Sequence, residues 1–280
     1  MRSATFSIVA CDPVRREWGV AIASRFLAIG ALSAWAEAEV GAVATQSFIN
    51  AAHGEEGLRL LAGGTSADAA LDLLLAGDEG RDLRQLGIVD AVGRSATYTG
   101  SRCMDWAGGR TGDGYAAQGN MLVSAATLDA LVSEYESRAG EPLGDRLLAA
   151  MEAGQAAGGD RRGQQSAVLR VMREGGGYGG ASVVMDLRVD DHARPLVELR
   201  RLRGLHELYF GRTPESRWLA VDAELRAELR ERLRALGHDG GDLAADLFAW
   251  AGVENLEERV RGADRIDPVV LTEIRKATAG

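Results

Sequence analysis

The chain has 280 residues, 46% of them hydrophobic, and a formal net charge of −9. That is apolar material for one large domain, or for one domain with a small appendage. The acidic balance, with a pI near 5.1, excludes the basic surface that binding to a phosphate backbone requires, so no nucleic-acid partner is expected. Cys11 and Cys103 are the two cysteines; they lack metal-knuckle or redox-pair spacing and read as reduced cytosolic thiols. The apolar run Phe6 to Cys11 falls short of a secretory core, and Phe26 to Glu37 falls short of the roughly 18 apolar residues of a membrane span. The expectation is a soluble, cytoplasmic protein with no membrane partner.

In chain order, Thr5 to Ala10 alternates as a strand, Asp12-Pro13 turns, and Trp18 to Ala23 returns. Val40 to Gln46 is apolar on both faces, as in a strand covered on both sides. Helices are predicted over 55–62 and 67–75, the second with Ser66 as N-cap and closed by Gly77. A hairpin follows, 84–90 and 95–99, then a loop from Gly100 to Tyr115 and a short strand before Gly119-Asn120. A helix beginning at Ser124 or Thr127 runs through Leu128, Leu131, Val132 and Tyr135, and another spans 143–157. Strands at 166–172 and 181–189 flank the Gly175–Gly177 loop. Hairpin-paired strands alternating with helix pairs exclude a doubly wound parallel sheet and predict an α+β fold, a four-layer αββα sandwich over residues 1–210.

After His192 the character is helical. Leu196, Leu199, Leu205 and Leu208 place a helix over 195–209, and 211–214 is a linker. Residues 211–280 are predicted as a small all-α domain. Its first helix carries an apolar stripe from Trp218 and Val221 through Leu225, Leu229, Leu233 and Leu236. A second carries Leu243, Leu247, Trp250 and Ala251, and a third, after Asp267-Pro268, carries Val270, Leu271 and Ile274. At that spacing Trp218 and Trp250 read as core residues rather than as a glycan platform.

Several separated motifs carry a resemblance. Thr5 to Ala10, Ala23 to Gly30, Ala44-Thr45-Gln46, Gln118-Gly119-Asn120, Gly158 to Ser166 and Leu187 to His192 resemble the domain-of-unknown-function-1028 family, over about residues 4–205. The tail from about Glu215 to Arg275 resembles a peptidoglycan-binding domain found after that family. The resemblance implies the fold of the N-terminal-nucleophile hydrolases, whose catalytic residue attacks with its side chain while its own free α-amine takes the proton. It also implies a homo-oligomer.

On that resemblance Thr5 is the nucleophile of an amide hydrolase acting on a small-molecule or peptide-like substrate. Met1-Arg2-Ser3-Ala4 precede it, and an amide nitrogen is not basic, so residues 1–4 must be removed for such chemistry. Otherwise Thr5 is a β-branched residue starting a strand. Asn120 and the Gly119 backbone N–H are oxyanion donors in this reading. Arg25 is a carboxylate binder, or else a partner in a surface ion pair. Thr45, Gln46, Asn50, Gln118, Cys103, Trp106 and Asp160 are substrate-binding candidates, with loop and cap hydrogen bonding as the plain alternative. No cofactor or resident metal is expected. A metal-assisted hydrolase on Asp160, Asp190 and His192 is one alternative, disfavoured because Asp190 and Asp191 point to opposite faces of a strand. A non-catalytic oligomeric scaffold or ligand-binding protein is another. A cell-wall glycan partner is set aside, because no signal peptide is readable.

Overall fold

The computed structural model describes residues 5–279. The chain divides into two compact units, Met1–Leu202 and Arg203–Gly280. The first is a mixed α/β unit of antiparallel sheets. Its strands β1 (Thr5–Asp12) and β2 (Glu17–Ser24) form the expected hairpin. A single turn, α1 (Gly30–Ser33), leads into β3 (Ala34–Glu37), and β4 (Gly41–Ser47) pairs back on it. Helices α2 (Ala52–Ala62) and α3 (Ala67–Ala76) follow, the Ser66 side chain accepting from the Ala69 N–H as an N-cap. Strands β5 (Arg84–Asp90) and β6 (Ser95–Thr99) make the second hairpin, and β7 (Gly108–Gly112) and β8 (Tyr115–Asn120) a third. Then come α4 (Ala126–Ser137), α5 (Leu143–Ala156), β9 (Ser166–Met172), β10 (Val183–Val189) and α6 (Pro195–Phe210).

One sheet has the order β10-β9-β2-β1-β8-β7 and the other β3-β4-β5-β6. Alternation along β1 explains the layering. Phe6, Ile8 and Ala10 pack with Leu128 and Leu131 of α4 and Leu147 and Met151 of α5, whereas Val9 and Cys11 pack with Ala42 and Ala44 of β4 and Val89 of β5. Val43, Leu86 and Ile88, on the other face of the smaller sheet, meet Leu71, Leu74 and Leu75 of α3. Each sheet thus carries a helix pair outside and faces the other sheet inside. With both faces covered, the central strands β1, β2 and β4 are buried along their whole length. In this unit two strands escape the sequence reading. β3 is four residues long, and β7, within the stretch predicted as a loop, is the Gly-rich edge Gly-Gly-Arg-Thr-Gly held by pairing with β8.

The second unit is helical. Leu229 and Leu233 of α7 (Ala223–Ala235), Leu247 and Trp250 of α8 (Leu243–Val253), and Val270 and Ile274 of α9 (Pro268–Ala277) share one core. Asp222, Asp242 and Asp267 cap the three helices through their carboxylates. The stripe predicted from Trp218 onward is corrected here. Asp222 starts α7, and ahead of it β11 (Leu219–Ala220) pairs with β12 (Arg265–Ile266), so Trp218 and Val221 lie in extended chain. The Arg259 guanidinium is buried in this unit: it donates to Asp267 Oδ2 at 2.9 Å, to Thr213 Oγ1 at 3.2 Å, and to the carbonyls of Glu207 and Leu208. Among the described residues no helix is long and apolar enough to cross a membrane.

Candidate functional site

The space between the two sheets changes character along β1. Toward its C-terminal end the inward residues are Val9 and Cys11. Toward its N-terminal end they are Thr5 and Ser7, both fully buried. Register sets the surroundings: Thr5 stands opposite Ser24 of β2 on one side and Asn120 of β8 on the other, and Ser7 stands opposite Gln118. The facing sheet contributes Gln46 and Gln85, which are paired across β4 and β5.

These side chains form a directed hydrogen-bond chain. Gln118 Nε2 donates to Ser7 Oγ at 2.6 Å, and Ser7 Oγ donates to Gln46 Oε1 at 2.7 Å. Gln46 Nε2 donates to Gln85 Oε1 at 2.8 Å, and reaches the Thr5 carbonyl at 3.4 Å. Asn120 Nδ2 also donates to Gln85 Oε1, at 2.9 Å, while Gln85 Nε2 donates to the Gly119 carbonyl at 2.7 Å and to Thr99 Oγ1 at 2.9 Å. Buried amides left without partners destabilise by about 1–3 kcal/mol each, so a connected network is the condition for placing so many here. The Thr5 hydroxyl lies outside that circuit, 3.1 Å from Ser24 Oγ.

The turn 160–163 crosses the ends of the strands flanking Thr5. Asp160 bridges to Leu122, the Arg161 N–H donates to the Met121 carbonyl, and the Gln165 N–H donates to the Ser24 carbonyl. Asp160 is buried and accepts the Arg25 backbone N–H at 2.9 Å, the Arg162 N–H at 2.8 Å and the Arg162 guanidinium at 3.0 Å. Its carboxylate is therefore spent on holding the turn. The Arg25 side chain is exposed and has no ion-pair partner among the described residues. It stands one residue beyond Ser24, at the sheet end where Thr5 lies.

Of the residues singled out from the sequence, Thr5, Gln46, Gln118, Gly119 and Asn120 come together, and Arg25 and Asp160 flank them. Gly119 offers the network its carbonyl and sits in ladders with Phe6 and Gly108. Thr45 shares the face of Val43, away from the network, and its buried hydroxyl has no partner among the described residues. Asn50 lines a cleft between α2 and α3. Cys103 Sγ donates to the Arg84 carbonyl at 3.2 Å, and burial pushes its thiol above the ordinary range, which opposes a thiolate nucleophile. Trp106 packs against the helix-side core with the Arg110 guanidinium over its ring at 5.8 Å. His192 Nδ1 accepts from the Arg194 N–H at 3.1 Å, and no cluster of three metal-ligating side chains occurs among the described residues. Sequence reasoning missed Gln85, the hub. Its signal was a glutamine on the same strand face as Gly87 and Val89.

Comparison with known proteins agrees with this architecture. Residues 209–273 match the family model "Putative peptidoglycan binding domain". The crystal structure of protein SPO2555 from Silicibacter pomeroyi, which carries the DUF1028 family model, is similar with a TM-score of 0.66 and 30% sequence identity, over 73% of this chain and 89% of that one. No curated protein matches. Residues 5–199 match the model of the family of unknown function DUF1028, and the chain belongs to that family.

Proposed function

We propose that the protein hydrolyses an amide bond in a small or peptide-like molecule, with Thr5 as an N-terminal nucleophile. The layering of helix pair, sheet, sheet and helix pair is then the αββα sandwich of the N-terminal-nucleophile hydrolases. The observation that carries this reading is the position of the Thr5 hydroxyl: it is at the start of a central strand, beside Ser24 Oγ and outside the amide circuit that occupies its neighbours. That the family match also begins at residue 5 supports it.

With residues 1–4 removed, the freed α-amine has an ordinary pKa of about 7.7–8.0 and takes the proton as Thr5 Oγ1 attacks the substrate carbonyl. Asn120, which spends one amide hydrogen on Gln85 Oε1, has a second for the oxyanion, with Gly119 beside it. Collapse expels the amine, which takes the proton back, and water then hydrolyses the threonyl ester. In this reading the exposed Arg25 guanidinium binds a substrate carboxylate bidentately.

Intact-mass measurement of the native protein tests the premise. A chain beginning at Thr5, active on amides and silenced by Thr5→Ala, is the expected result. A native chain that keeps any residue upstream of Thr5 overturns it. The match over residues 209–273 favours a second reading, in which the helical unit binds cell-wall glycan. Sedimentation of the full chain with purified peptidoglycan tests that.

A further inference from the structure

Gln85 is fully buried and reaches from β5 toward the facing sheet with an amide whose orientation the backbone dictates. Its Nε2 lies 2.7 Å from the Gly119 carbonyl, 2.9 Å from Thr99 Oγ1 and 3.2 Å from the Gly108 carbonyl. Carbonyl oxygens only accept, so the NH₂ end of Gln85 must face β7 and β8. Oε1 is then turned to Gln46 and Asn120, which both present N–H to it, at 2.8 and 2.9 Å. A flipped amide would set its oxygen against two carbonyls and its NH₂ against two other NH₂ groups.

The same sense passes along the network. Gln46, with its NH₂ on Gln85, has Oε1 left for Ser7, which donates to it at 2.7 Å and accepts from Gln118 Nε2 at 2.6 Å. Two carbonyls that cannot rotate thus fix which end of each amide donates.

Asn120 is where this orientation meets the candidate site. It stands opposite Thr5 across β1 and β8 and is 1% exposed. The Gly119 carbonyl belongs to the peptide that enters Asn120. Gln85 therefore grips that residue twice, at the incoming peptide through Nε2 and at the side chain through Oε1. The terminal torsion of an unrestrained asparagine is broad and nearly two-fold, and half a turn would offer a developing oxyanion an oxygen in place of an N–H. Gln85 opposes that half-turn, because it would bring the Asn120 oxygen against the Gln85 oxygen. Resting on the reading of Thr5 as the nucleophile, we propose that Gln85 is a positioning residue for amide hydrolysis. It holds the Asn120 amide as a donor, with one N–H on Gln85 Oε1 and the second kept for the oxyanion. It acts through Asn120 and not on the reacting atoms.

Acylation by p-nitrophenyl acetate tests this on the full-length protein. Thr5 Oγ1 attacks the acetyl carbonyl and passes its proton to the α-amine, the ester bond breaks, and p-nitrophenolate leaves and is read by absorbance. Lys276 is the one lysine, and Thr5→Ala keeps an α-amine, so that variant sets the background. Gln85→Leu should slow the Thr5-dependent burst about 100-fold. In Asn120→Ala it should add less than about threefold, because a residue that works through Asn120 then has nothing to orient. Leu71→Ala, a destabilising change on the outer face of the smaller sheet, should leave the burst unchanged, which separates positioning from general weakening. In the wild type the Asn120 Nδ2 group should be as rigid as strand backbone, with an NMR order parameter of about 0.85. Wild-type acylation no faster than that of Thr5→Ala sinks the hydrolase reading and this inference with it. Three results overturn the positioning role alone: a burst that Gln85→Leu leaves intact, effects of Gln85→Leu and Asn120→Ala that multiply, or a wild-type Asn120 amide with an order parameter below about 0.6. The last needs no variant to fold.

Discussion

The two ends of the inter-sheet space are built on the same strands and differ in what fills them. At one end Val9, Cys11, Trp18, Val20, Ala42 and Val89 exclude water by shape alone. At the other, Thr5, Ser7, Gln46, Gln85, Gln118 and Asn120 are equally buried, yet each brings polar groups that must be met. Apolar packing tolerates a change of one methyl group because its contacts are many and weak. A connected amide network has few contacts, and each is directional. The difference teaches that stability alone does not require the polar end, since an apolar filling of equal volume would have served. That is why chemistry is sought there.

The contrast breaks most sharply at Gln85. Gln85→Leu keeps the volume but orphans the donors of Gln46 and Asn120 and the carbonyl of Gly119. A loss of about 4 kcal/mol in urea unfolding is expected, from two or more unmet groups at about 1–3 kcal/mol each. A loss under about 1 kcal/mol would show the circuit to be replaceable packing. Gly87 comes next. A Cβ there would lie 2.0 Å from Gln118 Oε1, whose amide is tethered to Ser7. Gly87→Ala therefore either displaces Gln118 or strains β5, for about 2 kcal/mol by the same assay.

How much of this was legible in the chain depends on which interactions decide each element. The hairpins 5–24 and 84–99 were readable because alternation and turn residues are local signals. Ser66 was readable as a cap for the same reason. β7 was not, because a Gly-rich edge has no intrinsic strand preference and is fixed by pairing with β8. Trp218 joined a helical stripe on paper because period alone cannot see that Asp222 starts the helix and that Leu219–Ala220 has a distant partner, Arg265–Ile266. Within the candidate site, Gln46, Gln118 and Asn120 stood out as polar residues in strands; Gln85 carries the same local signal, a glutamine within a strand, but nothing local says that the four meet. Their meeting is set by the stacking of two sheets, a long-range fact. Asn50 and Thr45 adjoined those motifs in sequence and go elsewhere in space, Thr45 because the next residue of a strand faces the other way.

Apolar packing gives smaller numbers. Ile22→Val, in the apolar cluster opposite Ser7, removes one methylene from a fully buried site and should lower unfolding stability by about 1 kcal/mol. The comparison sharpens if this conservative loss stays well below that of Gln85→Leu, although Gln85→Leu removes no volume. Equal losses would mean that packing, not hydrogen bonding, governs both ends.

Cys11 supplies the smallest effect and the most specific one, since it titrates at the apolar end. Burial, with Asp12 and Asp90 adding to it, pushes its thiol up from 9.0 to about 12. Above pH 9 the unfolded chain gives up this proton while the folded chain keeps it, so the folded state binds more protons and stability must fall as pH rises. The contribution is fully present below pH 9. It declines by about 0.8 kcal/mol at pH 9.5, a difference that follows from the gap between the two pKa values. In Cys11→Ala the alkaline slope should flatten by that amount, after the constant cost of the lost side chain is subtracted. Native Cys11 should also resist alkylation at pH 8.5 until denaturant is added, since the thiolate is the reactive form. Rapid labelling of the folded protein at Cys11 would mean that solvent reaches the inter-sheet space from its apolar end, and the contrast between a sealed end and a chemical end would fail.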